Sequence, residues 1–522
     1  MGPFYRKWKP LILIAIVLVL LLAIFVLPMK AKADATGDRT GSGQDVGEGD
    51  LADQVGHNTI AINFIWVFLG AILVFFMQAG FAFVETGFTQ ERNAAHVMMT
   101  NLTIFPVGVL AYFLVGFALM FGGVGPLKTL GGAPVLTSSL QVAKGWSIFG
   151  LKGFALSGTG VYDVGIFLFF LFEVVFMDTS ATIVTGAMAE RWKFKAFLVY
   201  GVFMSAILYP VYGHWVWGGG WLSQLGANVN LGHGFLDFAG SSVVHAVGGL
   251  CALAGIYVLG PRIGRFDKEG KPRPIPGHNV PMAIVGVMIL VFGWFGFNAG
   301  STLSGGDLRL AVIATNTLLA ACAGSVFAMF YWWKKFGKPD PSMTANGMLA
   351  GLVAITAPCA FVPAWGAIVI GLIAGLVVCW GVLALERWKL DDPVGAVAVH
   401  GFCGLWGVVA LGLFADGTYG AGSNGVGGAV RGLFFGDAGQ FLAQIIGAVT
   451  CTVFVLGLSY LFFRLQDRIQ GIRVSPQVEV DGVDIHEMGV SAYPSGTQLH
   501  LTVPYVESGK ESKYTQKAAG ER

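Results

Sequence analysis

Apolar runs of about 20 residues recur along this chain, near 59–85, 94–121, 163–188, 195–216, 238–259, 280–300, 309–333, 343–361, 364–385, 394–414 and 439–463. Each is long enough to cross the hydrocarbon core of a bilayer as a helix. Inside that core a backbone must satisfy its own hydrogen bonds, which leaves only helices and closed barrels. The short alternating segments of a barrel are absent. The sequence therefore predicts an all-α polytopic membrane protein with eleven transmembrane helices. The composition agrees, at 55% hydrophobic and 12% charged. The 76 glycines are spread through the apolar runs, where they permit close helix–helix contact. A net charge of +2 implies no polyanionic partner. Cys251, Cys322, Cys359, Cys379, Cys403 and Cys451 all fall inside the runs, with no C-x-x-C pair. They read as small apolar residues, with neither a disulfide framework nor a metal site.

One stretch occurs twice. Asp237 to Leu250 reads D-F-A-G-S-S-V-V-H-A-V-G-G-L, and Asp392 to Leu405 reads D-P-V-G-A-V-A-V-H-G-F-C-G-L. The copies fall on the fifth and tenth runs. Five spans per half make the second half enter the membrane upside down, so the pattern is a five-plus-five inverted repeat with one extra helix. Sites in such proteins lie between the halves. His245 and His400 occupy equivalent frames, each with a glycine one turn on, Gly249 and Gly404. A neutral imidazole offers one donor and one acceptor, and its ordinary pKa near 6.5 suits proton exchange. Buried histidines bonded to backbone are the plainer alternative. Asp237 and Asp392 stand where their helices begin and are read as caps for backbone N–H groups. Asp237, opening its span from outside, is also placed to make the outer mouth attractive to a cation.

The ends differ in character. Residues 1–35 read as a signal peptide, with Arg6, Lys7 and Lys9 before an apolar core and two A-x-A sites after it. A retained first span is the alternative. Residues 36–57 are Gly- and Asp-rich, a flexible extracytoplasmic segment. The transmembrane domain is expected over 58–464 and a cytoplasmic tail over 465–522. Lys and Arg concentrate in one set of loops, including Arg191, Arg262, Arg265, Lys334 and Arg387. By the positive-inside rule these loops are cytoplasmic, the mature N-terminus outside and the C-terminus inside.

Four further motifs stand in order: T-G-A-M-A-E-R at 185–191, H-W-V-W-G-G-G-W at 214–221, G-W-F-G-F-N-A-G-S at 293–301 and D-D-P-V-G-A-V-A-V-H-G-F-C-G at 391–404. Together they resemble the Amt branch of the Amt/Rh family of ammonium transporters, over about Thr59 to Tyr493. The resemblance implies a homotrimer in the cell membrane, one pore per subunit, ammonium or ammonia as substrate, and no cofactor or metal. It assigns Trp217 and Ser301 to an outer ammonium site, with Phe172 beside them. Phe176 and Phe297 become stacked pore phenylalanines, Trp294 a pore-lining tryptophan, and His245 and His400 the twin histidines.

Elementary chemistry agrees with those roles. An indole face attracts NH4+ by cation–π interaction. A hydroxyl oxygen accepts a hydrogen bond that NH4+ can donate and K+ cannot. Taken alone, Trp217 suits an interfacial belt and the phenylalanines suit core packing. The expected function is ammonium transport, with NH4+ deprotonated near the Phe gate and NH3 conducted along the histidines. The alternatives are an ammonium sensor signalling through its tail and a neutral channel of Rh type. The resemblance also implies a PII-type regulatory protein as a partner at the cytoplasmic face. No nucleophile–base set or metal cluster points to an enzyme.

Overall fold

The structure is a computed structural model that describes residues 50–493. The signal-peptide reading of 1–35, residues 36–49 and tail residues 494–522 lie outside the described residues, while residues 50–57, expected to be flexible, are the start of a helix that runs Asp50–Phe88. The first half comprises α1 (Asp53–Phe88), α2 (Glu91–Phe121), α3 (Val164–Met188), α4 (Phe194–Val216) and α5 (Ser241–Leu259). The second comprises α6 (Val280–Gly300), α7 (Leu310–Phe336), α8 (Pro341–Ile355), α9 (Ala364–Arg387) and α10 (Val397–Phe414), followed by α11 (Ala438–Gln470). Ten of these are long and apolar enough to cross a membrane, and α8 is shorter, at 15 residues.

The packing repeats between the halves. In the first half α3 packs on α1 and on α5; in the second, α8 packs on α6 and on α10. Across the halves, α1 lies along α6 and α5 along α10, while α11 closes over both α5 and α10. Apolar side chains such as Ile65, Phe68 and Ile72 on α1 and Phe292 on α6 point outward, as expected of a lipid-facing surface.

α8 ends earlier than its apolar run predicts, at Ile355 rather than near 361. The reason is the segment leading into α5. Ser241 Oγ donates to the Val353 carbonyl at 2.7 Å and accepts from Ala357 N at 2.7 Å. Phe238 N and Ala239 N donate to the carbonyls of Ala357 and Thr356. The chain thus leaves helical geometry where neighbouring protein supplies the partners, the one circumstance that tolerates irregular backbone at this depth. α11 runs past the expected boundary at 464 to Gln470, and Gln466 there donates to the Ala196 carbonyl at 2.8 Å.

One face carries a short antiparallel hairpin, β1 (Ser139–Ala143) and β2 (Trp146–Gly150), in the α2–α3 connection. The opposite face carries the Lys- and Arg-rich loops and a buried charge cluster. Arg262 grips Asp391 with two parallel bonds, Nε to Oδ2 at 2.8 Å and Nη2 to Oδ1 at 2.9 Å. It reaches Glu190 through Nη1 at 2.7 Å. Arg191 donates to the Asp391 carbonyl at 2.7 Å. Two of the motifs read in sequence, A-E-R and D-D-P, are thereby joined through a loop arginine that neither contains. The segment after α11, with α12 (Pro476–Asp481), is laced over this face. Glu479 binds Arg473 and accepts from Ile263 N at 2.7 Å. Asp484 accepts from Ala95 N and His96 N at the start of α2, and Glu487 from Phe194 N at the start of α4.

Burial alone would raise the pKa of Asp391, but the charges of Arg191 and Arg262 prevail and hold it well below the usual carboxylate range. For Glu190, burial is likewise overcome by Arg262, so its pKa is lowered too. Depressed carboxylates contribute stability that is fully present above their unfolded pKa values, about 4, and is lost as pH falls through the folded values. Thermal unfolding in detergent is therefore expected to be flat in this contribution from pH 7 to 5 and to weaken below about pH 4. Asp391→Asn leaves the buried Arg191 without a carboxylate partner and Arg262 with Glu190 alone, and is expected to cost about 3–5 kcal/mol at neutral pH; an unchanged melting temperature would contradict the cluster's role.

Candidate functional site

On the hairpin face a cavity of about 840 Å³ opens into the bundle, with Phe172, Phe176, Trp217, Asp237 and Ser301 among its lining residues. The short loop after α4 sets the indole. His214 is held between Ser147 Oγ and the Met120 carbonyl, both at 2.7 Å, which anchors the H-W-V-W turn. Trp217 Nε1 then donates to the Asp237 carbonyl at 2.7 Å, fixing the ring at the cavity wall. Ser301, at the end of α6, donates its hydroxyl proton to the Phe297 carbonyl at 2.7 Å. Its oxygen lone pairs stay available as acceptors.

Asp237 is buried, and its carboxylate accepts five hydrogen bonds. Oδ1 takes Gly240 N and Ser241 N; Oδ2 takes Ser242 N, Val243 N and Ser242 Oγ, all within 3.0 Å. Asp392 does the same for α10, accepting from Val394 N, Gly395 N and Val397 N. Both acids are helix caps at depth.

From the cavity wall inward, aromatic rings pack against one another. Phe172 and Phe176 lie 4.8 Å apart, and Phe176 and Phe297 4.2 Å, by ring centroid. Phe176 meets the Trp217 ring edge-on at 6.2 Å. The Phe297 ring stacks on His245 at 5.3 Å, and Trp294 stacks on His245 at 5.0 Å. Trp294 is oriented by its Nε1 donating to Thr356 Oγ1 at 2.9 Å, a residue in the unwound stretch after α8.

His245 Nδ1 and His400 Nδ1 are 3.2 Å apart. One ring nitrogen must donate and the other accept, so the pair shares one proton along this line. His245 Nε2 makes no hydrogen bond within the described residues. Each histidine lies in a π-helical turn that opens its helix, Ser241–Ala246 in α5 and Val397–Phe402 in α10. The helices cross at the glycines one turn on. A Cβ on Gly249 would collide with the backbone of Gly401 and His400, and one on Gly404 with the backbone of Ser241 and Ala246. The contact is reciprocal, as an inverted pair requires.

Past His400, toward the basic face, a second cavity of about 20 Å³ is lined by His400, Glu85 and Asn346 with Phe81, Val84 and Leu349. Glu85 drew no notice in sequence, because its surroundings are brought from distant points. Asn101 Nδ2 lies 2.6 Å and Thr185 Oγ1 2.8 Å from its carboxyl oxygens. Its one visible signal is an acid seven positions after Gln78 inside an apolar run. Glu173, an acid of α3, lines the large cavity and is equally unmarked by any motif in the sequence.

The comparisons with known proteins follow the same lines. The model of the Ammonium Transporter Family matches residues 65–493. Ammonium transporter Amt2 of Archaeoglobus fulgidus is 49% identical over 447 residues, 85% of this chain and 91% of that protein. Ammonium transporter Amt1 of Haloferax mediterranei is 38% identical over 84% of this chain and 81% of its own. Among solved structures, one described as a Sensor Amt Protein superposes with a TM-score of 0.71 at 33% identity, covering 83% of this chain and 99% of that one. Candida albicans Mep2 gives 0.68 at 26% identity, over 83% and 91%.

The helix crossing can be tested without reference to chemistry. Gly249→Ala and Gly404→Ala each force α5 and α10 apart and are expected to destabilise the protein by about 1–3 kcal/mol. Gly457→Ala on α11, where a Cβ meets nothing within 4 Å, is the control. Equal melting temperatures for all three would contradict the close crossing.

Proposed function

This chain belongs to the ammonium transporter family, and we propose from that premise how it moves its substrate. NH4+ is captured outside at Trp217 and Ser301, with Phe172 beside them. The Trp217 face supplies cation–π attraction, up to about 2 kcal/mol when desolvated. Ser301 accepts a hydrogen bond from the ion, and the charge of Asp237, though tied to backbone, favours a cation at the mouth. A bare ion entering the apolar stretch beyond would face a large desolvation cost. The ion gives up its proton at the Phe176–Phe297 gate, NH3 passes along Trp294, His245 and His400, and the histidine pair carries the proton. The observation supporting this reading most directly is the 3.2 Å line between the two imidazoles, in series with the stacked phenylalanines.

The same proposal takes the basic face as cytoplasmic, the mature N-terminus as outside, and the assembly as a homotrimer in the cell membrane. It takes the transporter domain as running from about residue 58 to the end of α11 at Gln470, and the residues after it as a tail whose face can receive a PII-type regulatory protein. A second reading rests on the likeness to a structure described as a Sensor Amt Protein: the chain binds ammonium and signals through the segment after Gly471. Flux measurement separates the two, since a sensor of that kind carries little.

In proteoliposomes under an ammonium gradient, the parent is expected to carry current. A neutral channel of Rh type would instead show ammonia flux without current. Trp217→Leu and Ser301→Ala should each raise the half-saturating ammonium concentration about tenfold, a loss of about 1.4 kcal/mol in capture. His245→Ala and His400→Ala should remove the current, with any residual flux neutral or less selective. Histidine variants carrying the parent's current would overturn the shared-proton reading.

A further inference from the structure

We infer that Glu85 is the proton-exchange group at the basic-face end of the pore: it protonates the ammonia that passes His400, and regains a proton from the histidine pair through a single water. The inference deepens the transport reading and rests on it.

The small cavity beyond His400 carries the argument. Its volume, about 20 Å³, is the room one water needs, and a buried water needs two to four polar partners. His400, Glu85 and Asn346 are three such residues on its wall. The remaining lining is apolar, so a proton leaving His400 here has one carboxyl within reach. That carboxyl has a built cradle. Thr185 and Asn101 hold its two oxygens, and a Cβ on Gly186 would stand 3.0 Å from Glu85 Cδ. The first two residues of T-G-A-M-A-E-R thus make room for and bind the acid.

The hydrogen-bond pattern favours a proton on Glu85. The Thr185 hydroxyl has one proton, and its oxygen lies 2.5 Å from the Thr182 carbonyl, which can only accept. That single proton faces three oxygens, the Thr182 carbonyl and both Glu85 oxygens, and can serve one of them at a time, so a proton carried by Glu85 fills one of the contacts left over. Asn101 donates to Glu85 Oε2. No lysine or arginine lines the cavity, and the other acid whose field reaches Glu85 is Asp392, itself tied to three backbone N–H groups.

The step balances as follows. Ammonia takes the carboxyl proton directly or through the water, an N–H bond forming as the Glu85 O–H bond breaks, and NH4+ leaves toward the basic face. The carboxylate keeps its bond from Asn101 and gains one from Thr185 as that hydroxyl turns. The proton that the histidine pair took from the entering NH4+ then passes from His400 through the water to the carboxylate, which restores the acid and leaves both imidazoles neutral. One NH3 and one proton have crossed separately and left together.

Glu85→Gln preserves shape and can still bond to Thr185, but cannot give or take a proton. In proteoliposomes its ammonium-driven current should fall about 10²-fold or more, while ammonia flux, read from an enclosed pH dye, stays within about twofold of the parent. Glu85→Asp should give an intermediate current, because the carboxyl chemistry is kept and its reach to the water lengthened. If Glu85→Gln fails to insert, Glu85→Asp alone carries the test. A parental current in either variant overturns the inference, as does loss of current and ammonia flux in equal proportion. Histidine variants run in parallel keep the two ideas apart: if they lose current and Glu85→Gln does not, only the role of Glu85 falls.

Discussion

The fold depends on keeping backbone N–H groups satisfied where two helices begin in the interior of the bundle. α5 starts at Ser241 and α10 at Val397, each just after a glycine of positive φ, Gly240 and Gly395, and the first turn of any helix leaves several donors without internal partners. In an apolar surrounding each orphan is expensive. Asp237 and Asp392 answer that need, and the first residue of α5, Ser241, also completes the end of α8. With those ends settled, the two helices can cross closely enough for glycine alone, and their first-turn histidines face each other.

Polarity along the path is rationed accordingly. The mouth has an indole, a hydroxyl and a capped acid, and the stretch below it is closed by phenylalanine rings. The histidine pair is the next polar feature, and its neighbours Trp294 and Phe297 are stacked rings. On the proposed reading, such a series discriminates by cost: a hydrated cation has partners at the mouth and none at the rings, whereas a small neutral molecule needs few.

Much of this was legible in the sequence, and the reasons are local. Apolar runs report spans because membrane depth imposes one length. The twice-occurring stretch reported both histidines, both caps and both crossing glycines, because duplication kept them in one frame. What escaped was assembled from afar. The early end of α8 is decided by Ser241, more than 100 positions upstream. Arg262 appeared only as a loop charge, yet it joins Glu190 to Asp391. Glu85 needed Asn101, Thr185 and His400 brought together before it had any surroundings to read.

The tail segment has a consequence for how the molecule is made. Asp484 caps α2 and Glu487 caps α4, helices whose own residues leave the ribosome nearly 400 and 300 positions earlier. Glu479 likewise completes the turn at Ile263. Until the last part of the chain is synthesised, those helix starts must borrow water or lipid headgroups as partners. The basic face is thus the last surface to mature, and a nascent chain can be fully threaded through the bilayer while that face is still open.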